Sequence, residues 1–352
     1  SRGGGSGGFS MEDRTMLAAV FEGNGRLAVK EVPVPALHKE DDVLLKVDAA
    51  SICGTDVHIL EVPPGHPATP GSILGHEYVG TVLKAGPGVE GLQEGDRVVI
   101  DPNLTCGGCR YCRMGMPNMC ENMTTLGIFL NGGFAKYNVA PARALHKISK
   151  AVPPDTAVFA EPLSCVVNGT EKVRLHPGES VVVLGAGPIG LLFIQVFRAA
   201  GAGKIIVSEM AEVRAEAARR SGADLVIDPR STDVKARVLD ETGIGADVVV
   251  DAVGALLPAA LDLVRRGGKV LLFGMNQSVA PPVAQYYITR HEVAVLGTYI
   301  AKYTFPPAIK VLESGAIKTD ALITHRVSVA NISEGFEAMR SGKAVKVVVT
   351  PE

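Results

Sequence analysis

The feature that most constrains the fold is a glycine-rich turn between a buried strand and a helix, in the segment VVVLGAGPIG at residues 181–190. Apolar residues run into the pattern G-x-G-x-x-G, formed by Gly185, Gly187 and Gly190. Glycines at this spacing allow a tight turn, close approach of the backbone to a pyrophosphate, and close helix packing. The helix that follows offers free N–H groups and its positive dipole end to phosphates. The chain has 40 glycines, so this pattern can occur by chance, and the interpretation depends on the segments around it.

That support is a regular alternation of strand-like and helix-like segments. Six runs are predicted to be strands: residues 181–185, 204–209, 224–228, 246–254, 269–275 and 292–298. The second run ends at Glu209, whose carboxylate can accept the hydroxyl groups of an adenosine ribose. Gly222 is expected at the end of one intervening helix, and Pro258 and Gly267 are expected to bracket another. The pattern predicts an α/β fold with a doubly wound parallel (Rossmann) sheet.

The rest of the chain is β-rich in character, and it predicts a second domain. Short alternating runs punctuated by Pro and Gly precede residue 150, and EPLSCVVNGTEKV from Glu161 is helix-like. The last fifty residues read as helix, strand, helix and strand, and they are expected to rejoin the first domain because a six-stranded sheet is already complete. The predicted domains are a β-rich one over 11–158 and 300–352, with a cysteine lobe at 103–121, and a dinucleotide-binding one over 159–299. Residues 1–10 are interpreted as a linker outside the fold.

Composition excludes several classes of protein. With 47% hydrophobic and 20% charged residues, the chain has the composition of an ordinary globular protein. A net charge of −2 gives no electrostatic footprint for nucleic acid or an anionic membrane. The longest apolar run, residues 181–194, is too short to span a bilayer, and no signal peptide is visible. We therefore expect a cytoplasmic protein without nucleic-acid or membrane partners.

Two groups of residues have the chemistry of metal ligands. The spacing C-x2-C-x2-C-x7-C can close a tetrahedron of thiolates around a structural zinc, with two disulfides as the alternative, which the lack of a signal peptide disfavours. These residues are Cys106, Cys109, Cys112 and Cys120. The second, dispersed group could hold a zinc with one open position. It consists of Cys53, His76, Glu77 and Glu161. On spacing alone, ordinary packing roles for this group compete well, and neighbours such as His76 and Glu77 reach one metal only through irregular backbone, which Gly75 allows.

In their order along the chain, these motifs resemble the zinc-containing medium-chain alcohol dehydrogenase family, more closely its polyol (sorbitol-type) and threonine dehydrogenase branches. The likeness covers nearly the whole chain after Met16 and rests on CGTDVH, GHEYVG, the cysteine lobe, the EP pair at 161–162, GAGPIG and Glu209. It implies a β-rich (GroES-like) catalytic domain interrupted by the Rossmann domain, with the active site between them. It also implies a homotetramer or homodimer that pairs through the last strand of the dinucleotide sheet, about residues 292–299.

The resemblance also assigns roles to individual residues. Cys53 and His76 match catalytic zinc ligands, Glu77 matches another ligand in the polyol branch, and Glu161 either binds the zinc or holds its water. Cys165 does not fit the ligand position and is interpreted as a packing residue. The proton relay matches Thr55 and His58, and Asp56 matches the partner of the zinc-binding histidine. The residues expected to bind NAD are Gly185, Gly187, Pro188, Ile189, Gly190, Glu209 and Arg214.

The implied function is zinc-dependent oxidation of a secondary alcohol, a polyol or sugar alcohol with or without a phosphate, to a ketone with hydride transfer to NAD⁺. Two zinc ions per chain are expected. Glu209 favours NAD⁺ by repelling a 2′-phosphate, whereas Arg214 is a weaker hint in either direction. The alternatives are L-threonine 3-dehydrogenase, 2,3-butanediol dehydrogenase, and an NAD-binding protein that has lost catalysis. Substrate identity lies in loops near residues 60–70, 124–131 and 275–284, where one sequence gives no readable code.

Overall fold

Two large sheets organise the chain, and the computed structural model describes them within residues 14–351. The predicted linker at 1–10 lies outside the described residues. The strands of the β-rich part are β1 (Thr15–Gly23), β2 (Arg26–Pro33), β3 (Asp42–Ile52), β4 (Glu77–Ala85), β5 (Arg97–Ile100), β6 (Asn103–Leu104), β7 (Thr124–Thr125), β8 (Tyr137–Pro141) and β9 (Leu145–Lys147). Its helices are α1 (Gly54–Ile59), α2 (Arg110–Arg113) and α3 (Pro154–Ala157).

From residue 160 to residue 297, strands and helices alternate as the sequence predicts. The strands are β10 (Ser180–Leu184), β11 (Lys204–Ser208), β12 (Leu225–Ile227), β13 (Ala246–Asp251), β14 (Val264–Leu272) and β15 (Ala294–Gly297). The helices are α4 (Ala160–Val173), α5 (Pro188–Ala199), α6 (Glu212–Arg220), α7 (Val234–Thr242), α8 (Leu257–Leu263) and α9 (Gln285–His291). All strand pairs are parallel, in the order β12-β11-β10-β13-β14-β15, so the predicted doubly wound sheet is confirmed.

Side chains of this sheet alternate between two hydrophobic cores. Val181 and Val183 pack into one core with residues of α4 and α5, while Val182 and Leu184 pack into another with residues of α7 and α8. Successive side chains of a strand point to opposite faces, so helices cover both faces of the sheet. This double burial explains why its strands are continuous apolar runs in the sequence.

The last part of the chain returns to the β-rich sheet, as predicted. Its elements are α10 (Phe305–Glu313), β16 (Ile323–Ser328), α11 (Ile332–Arg340) and β17 (Lys346–Thr350). The seven-stranded sheet has the order β16-β17-β3-β4-β5-β9, with β8 also paired to β3. The antiparallel pairing of β17 with β3 places Val348 opposite Ser51, nearly 300 positions earlier in the chain.

Two local predictions can be compared with the structure. Gly222 follows the end of α6 with φ +108°, as expected for a residue that terminates a helix. Gly267 does not end a helix: α8 already stops at Leu263, and Gly267 lies with φ +68° inside β14, where the register with β13 shifts. Within residues 14–351, no helix is both long and apolar enough to cross a membrane.

Candidate active site

The short helix α1 carries the first predicted metal ligand at its start. Cys53 follows β3 directly and has extended backbone angles, so its side chain stands at the junction of strand and helix. The carboxylate of Asp56, on the first turn of α1, accepts the Cys53 backbone N–H at 2.8 Å through Oδ2. This bond fixes the junction, and therefore the direction from which the thiol approaches the site.

The second and third predicted ligands are brought to the same point by a glycine. Gly75 has φ +94°, and a Cβ there would lie 2.6 Å from the Phe134 ring, so only glycine fits. This irregular backbone precedes β4, at whose start His76 and Glu77 are both buried. One ligand atom each of Cys53, His76 and Glu77 lies within 4.8 Å of the others. A thiol, an imidazole and a carboxylate so close together form a ligand set that suits zinc.

The electrostatics of this cluster favour a cation. Burial lowers the pKa of His76, but the charges of Asp56 and Cys53 outweigh it and raise that pKa well above its usual value. Burial, reinforced by the charge of Glu77, raises the pKa of the Cys53 thiol. The Asp56 carboxylate lies 3.5 Å from Nδ1 of His76, which leaves Nε2 for a metal. A bound zinc ion would take the place of the protons that these groups otherwise hold.

A buried lysine that the sequence analysis missed stands behind Glu77. Oε2 of Glu77 accepts hydrogen bonds from Ser51 Oγ and from Lys346 Nζ, and all three side chains are buried. Burial opposes the charge of each partner, yet the ion pair lowers the pKa of Glu77 and raises that of Lys346. Because these donors occupy one carboxylate oxygen, Glu77 retains Oε1 for another partner. A lysine before three valines gave no signal in the sequence, since only the pairing of β17 with β3 brings it here.

Glu161 lies beside this cluster, on the first turn of α4, but not within the 4.8 Å group. Burial raises its pKa to about 7, and the charges of Glu77 and Asp101 act in the same direction. The Cys165 thiol, one turn later, lies 3.6 Å from Glu161 Oε1 and can donate to it. Cys165 therefore packs against a predicted site residue rather than only filling space, and direct ligation by Glu161 stays a prediction.

The predicted proton relay lies on α1, which leads from the metal cluster to the surface. Thr55 is half-buried and His58 is exposed, so the helix connects the site with solvent. Nδ1 of His58 and Oε1 of Glu61 are 2.9 Å apart. The sequence analysis did not single out Glu61, which follows α1 by two positions and can orient the His58 ring.

The glycine-rich turn has the geometry that its motif predicts. Gly185 has φ +90°, and a Cβ on Gly190 would lie 2.0 Å from the Gly185 carbonyl oxygen, so both positions require glycine. Gly187 precedes the first turn of α5, which starts with Pro188, and a Cβ there would meet no protein atom within 4 Å. The space above Gly187 and the half-buried Ile189 is therefore open to a ligand, as a phosphate-binding helix N-terminus requires.

The predicted ribose-binding carboxylate is held by backbone amides next to this turn. Glu209 directly follows β11, and its two oxygens accept N–H groups of Ala186 and Ala211, each at 2.8 Å. Each oxygen keeps a further lone pair for a hydroxyl donor. Arg214, on α6, is half-buried, and its Nε has no hydrogen-bond partner within the described part of the chain.

The four-cysteine lobe forms a second cluster, with all four sulfur atoms within 4.8 Å of one another. All six cysteines of the chain are free thiols in the structure, which argues against the disulfide alternative. Backbone N–H groups of Cys106, Cys109 and Asn122 approach the sulfur atoms at 3.3–3.4 Å. Hydrogen bonds from Asn122 and the backbone lower the pKa of Cys106 to about 6. Four clustered sulfur atoms with such donors fit a closed zinc site.

Comparisons with known proteins find relatives over nearly the whole chain. Two family descriptions match the chain, "Alcohol dehydrogenase GroES-like domain" over residues 39–150 and "Zinc-binding dehydrogenase" over residues 188–314. D-arabinitol dehydrogenase 1 of Uromyces fabae is 34% identical, covering 96% of this chain and 97% of its own. L-threonine 3-dehydrogenase of Pyrococcus abyssi is 38% identical, covering 90% and 92%. A solved zinc-binding dehydrogenase structure from Sinorhizobium meliloti 1021, bound to NADP, has a TM-score of 0.91 at 33% identity, covering 96% and 100%.

Proposed function

The chain belongs to the zinc-dependent alcohol dehydrogenase family, and from that premise we propose that it oxidises one secondary hydroxyl group of a polyol to a ketone, with NAD⁺ accepting the hydride. The observation that carries the proposal is the buried cluster of Cys53, His76 and Glu77, with Glu161 beside it. In this proposal, the cluster holds the catalytic zinc and the four-cysteine lobe holds a structural zinc. Two zinc ions per chain distinguish the enzyme from an NAD-binding protein without catalysis.

The metal and the protein have separate tasks in the reaction. When bound, zinc supplies a Lewis acid that lowers the pKa of the substrate hydroxyl group. Cys53 and His76 would hold the ion, and Glu77 and Glu161 would bind it directly or through water. Asp56 keeps the His76 ring oriented from behind.

The residues of α1 remove the proton. Thr55 accepts it from the substrate hydroxyl group, and the exposed His58 releases it to solvent, where Glu61 steadies the imidazole. Loss of this proton leaves an electron pair on the substrate oxygen. This pair forms the second carbon–oxygen bond while the C–H bond of the same carbon breaks and its hydride passes to NAD⁺. One alcohol and one NAD⁺ thus give one ketone, one NADH and one proton.

Cofactor choice follows from Glu209 in this proposal. Its carboxylate stands at the end of β11 and would accept the adenosine ribose hydroxyl groups, while a 2′-phosphate would meet a negative charge. We therefore expect kcat/KM to be at least about tenfold higher with NAD⁺ than with NADP⁺. Arg214, with its unpaired Nε, is the group that would reduce this preference.

Assembly and location belong to the same proposal. The edge strand β15 is expected to pair with β15 of a second copy, and two such dimers are expected to form a homotetramer. The preceding segment exposes Val279, Val283 and Tyr286, which supports contact with another chain. Six free cysteines, four of them clustered as metal ligands, support a reducing compartment such as the cytoplasm.

Two measurements test the proposed function. NADH formation by zinc-loaded protein is compared on sorbitol, xylitol, arabitol, 2,3-butanediol and L-threonine, and polyol turnover without threonine turnover is the expected result. Cys53→Ser should abolish turnover and reduce the zinc content from two to one per chain, with NAD⁺ binding retained. Preferential oxidation of threonine would identify the alternative branch, and full activity of Cys53→Ser would refute the catalytic cluster.

A further inference from the structure

A cavity of about 280 Å³ lies between the end of β5, the four-cysteine lobe and the segment after β15. Its polar wall includes Asp101, Asn103, Asn118 and Arg143. None of the residues assigned above to zinc, the proton relay or NAD lines it. The volume approaches that of ordinary small-molecule pockets, and the wall has their usual character, a largely apolar lining with a few polar side chains that can orient a ligand.

Two groups in this wall have unused hydrogen-bonding capacity within the described residues: the buried Oδ1 of Asn118, which has no partner, and the carboxylate of Asp101. Asp101 follows β5 directly, and its Oδ1 accepts the Asn103 N–H at 3.1 Å. Within residues 14–351, neither a side chain nor the backbone donates to its Oδ2, and no Lys or Arg forms an ion pair with it. A hydroxyl group of a ligand could therefore donate to Oδ2, and the half-buried setting makes that hydrogen bond stronger than one at the surface.

The cavity also lies beside the proposed zinc site. The antiparallel register of β4 and β5 pairs Val79 with Val99, so Asp101, two residues after Val99, lies alongside the start of β4, where Glu77 stands. β5 also packs against α4, which carries Glu161 on its first turn. The opposite wall is fixed by carboxamides, because Nδ2 of Asn118 and Nδ2 of Asn168 both donate to the Tyr299 carbonyl oxygen. A ligand would thus find the wall already formed beside the reacting centre.

Building on the proposed function, we propose that this cavity receives the hydroxylated chain of a neutral, acyclic polyol beyond its reacting carbon, with Asp101 accepting hydrogen bonds from the hydroxyl groups. Each hydroxyl group donates one hydrogen bond and accepts others, and the wall offers both kinds of partner. Arg143 and Asn103 donate, while Phe305, on which the His146 ring stacks at 5.1 Å, offers an apolar surface to the C–H groups.

The same wall discriminates between substrates. A phosphate at the distal end of the polyol would bring negative charge towards the half-buried Asp101, whereas the positive charge of Arg143, which is exposed, is screened by water. The cavity therefore disfavours phosphorylated substrates. A short diol lacks hydroxyl groups that could reach Asp101, so its turnover depends less on this residue. This proposal therefore narrows the substrate class to unphosphorylated polyols, whereas the sequence alone left open whether the polyol carries a phosphate.

The test compares kcat/KM with NAD⁺ on sorbitol, sorbitol 6-phosphate and 2,3-butanediol, in the wild type and in Asp101→Asn. The wild type should prefer sorbitol to its phosphate, and Asp101→Asn should lower the sorbitol to butanediol ratio at least about tenfold, mainly through KM, because one charged hydrogen bond is lost. Asp240→Asn, which removes an exposed carboxylate on α7, is the matched control and should leave the ratio unchanged. If Asp101→Asn fails to fold, Arg143→Gln replaces it in the test, because Arg143 is exposed, and this variant should lower the same ratio.

An unchanged ratio in Asp101→Asn, or a wild-type preference for sorbitol 6-phosphate, would overturn the assignment of the cavity. If the wild type oxidises none of the three compounds, the proposed function itself has failed. The cavity is then judged by binding: sorbitol should raise the melting temperature of the zinc-loaded NADH complex, and Asp101→Asn should remove that rise. The absence of such a rise in the wild type would overturn the cavity proposal separately.

Discussion

Single residues control the charge of the metal cluster, and Lys346 is the clearest case. Its ammonium group is the buried partner of Glu77, and it also stands 6.0 Å from the centre of the Phe159 ring. In Lys346→Met, the Glu77 carboxylate would remain buried without its counter-charge, which costs about 3–5 kcal/mol in comparable cases. We expect a decrease of that size in the free energy of unfolding of the zinc-free protein, measured by urea denaturation, because zinc bound at Glu77 would itself supply a counter-charge.

A double variant separates the effect of the unpaired Glu77 charge from the effect of lost side-chain packing at residue 346. In Glu77→Gln/Lys346→Met, no unpaired charge remains, so this double variant should regain most of the lost stability although it keeps the same methionine. Equal instability of the single and double variants would mean that Lys346 only fills space. Ser51 is present in both proteins and continues to donate to residue 77.

Asp101 gives stability a defined pH dependence. Burial raises its pKa to about 6 from the ordinary 3.8, so between these values the folded state binds the proton that the unfolded state has lost. The contribution to stability therefore falls as pH rises from about 4 to 6, by at most about 3 kcal/mol. Asp101→Asn should increase the free energy of unfolding at pH 7.5 and change it little at pH 4.5, in urea titrations. The exposed Asp240→Asn should have no such dependence, and a loss of stability at pH 7.5 in Asp101→Asn would contradict the sign.

Elements differ in how far the sequence predicts them. The Rossmann half was predictable because strands buried on both faces are continuous apolar runs, and because Gly185 and Gly190 have a steric reason in the turn. The predicted end of α8 at Gly267 was wrong, since a glycine also permits the irregularity inside β14. Ser51, Lys346 and Asp101 were missed because only the pairing of distant strands and the packing of β5 on α4 bring them to the site.

Within the glycine-rich turn, two positions should respond differently to the same substitution. A Cβ at Gly190 would lie 2.0 Å from the Gly185 carbonyl oxygen, so Gly190→Ala should cost at least about 1–3 kcal/mol of stability. Gly187 has φ −68° and open space around its Cβ position, so Gly187→Ala should change stability by less than about 1 kcal/mol. It should nevertheless raise KM for NAD⁺ at least about tenfold, because the methyl group would occupy the place of a phosphate. If Gly187→Ala folds and its KM for NAD⁺ is unaltered, the dinucleotide does not bind at this turn.

At the scale of the whole molecule, the dinucleotide sheet ends in two edge strands, β12 and β15, and β15 is the edge proposed for assembly. Within residues 14–351, β15 pairs only with β14, and the N–H of Thr298 donates to the Leu272 carbonyl oxygen. Because alternate residues of a strand point their N–H groups to opposite sides, the amide of Val295 faces away from β14. An exposed strand edge of this kind is a ready template for pairing with a second chain.

This geometry allows a substitution that damages assembly but not the fold. Val295→Pro removes an outward N–H and no bond to β14, whereas Ala294→Pro removes a bond within the sheet. For a chain of 36.8 kDa, light scattering after size exclusion should give two or four chain masses for the wild type and a monomer for Val295→Pro. Val295→Pro should retain its zinc content, while Ala294→Pro should unfold at lower temperature. A wild-type mass of one chain, or an unchanged assembly in Val295→Pro, would mean that β15 is not the interface, since a proline cannot donate the hydrogen bond that pairing at this edge requires.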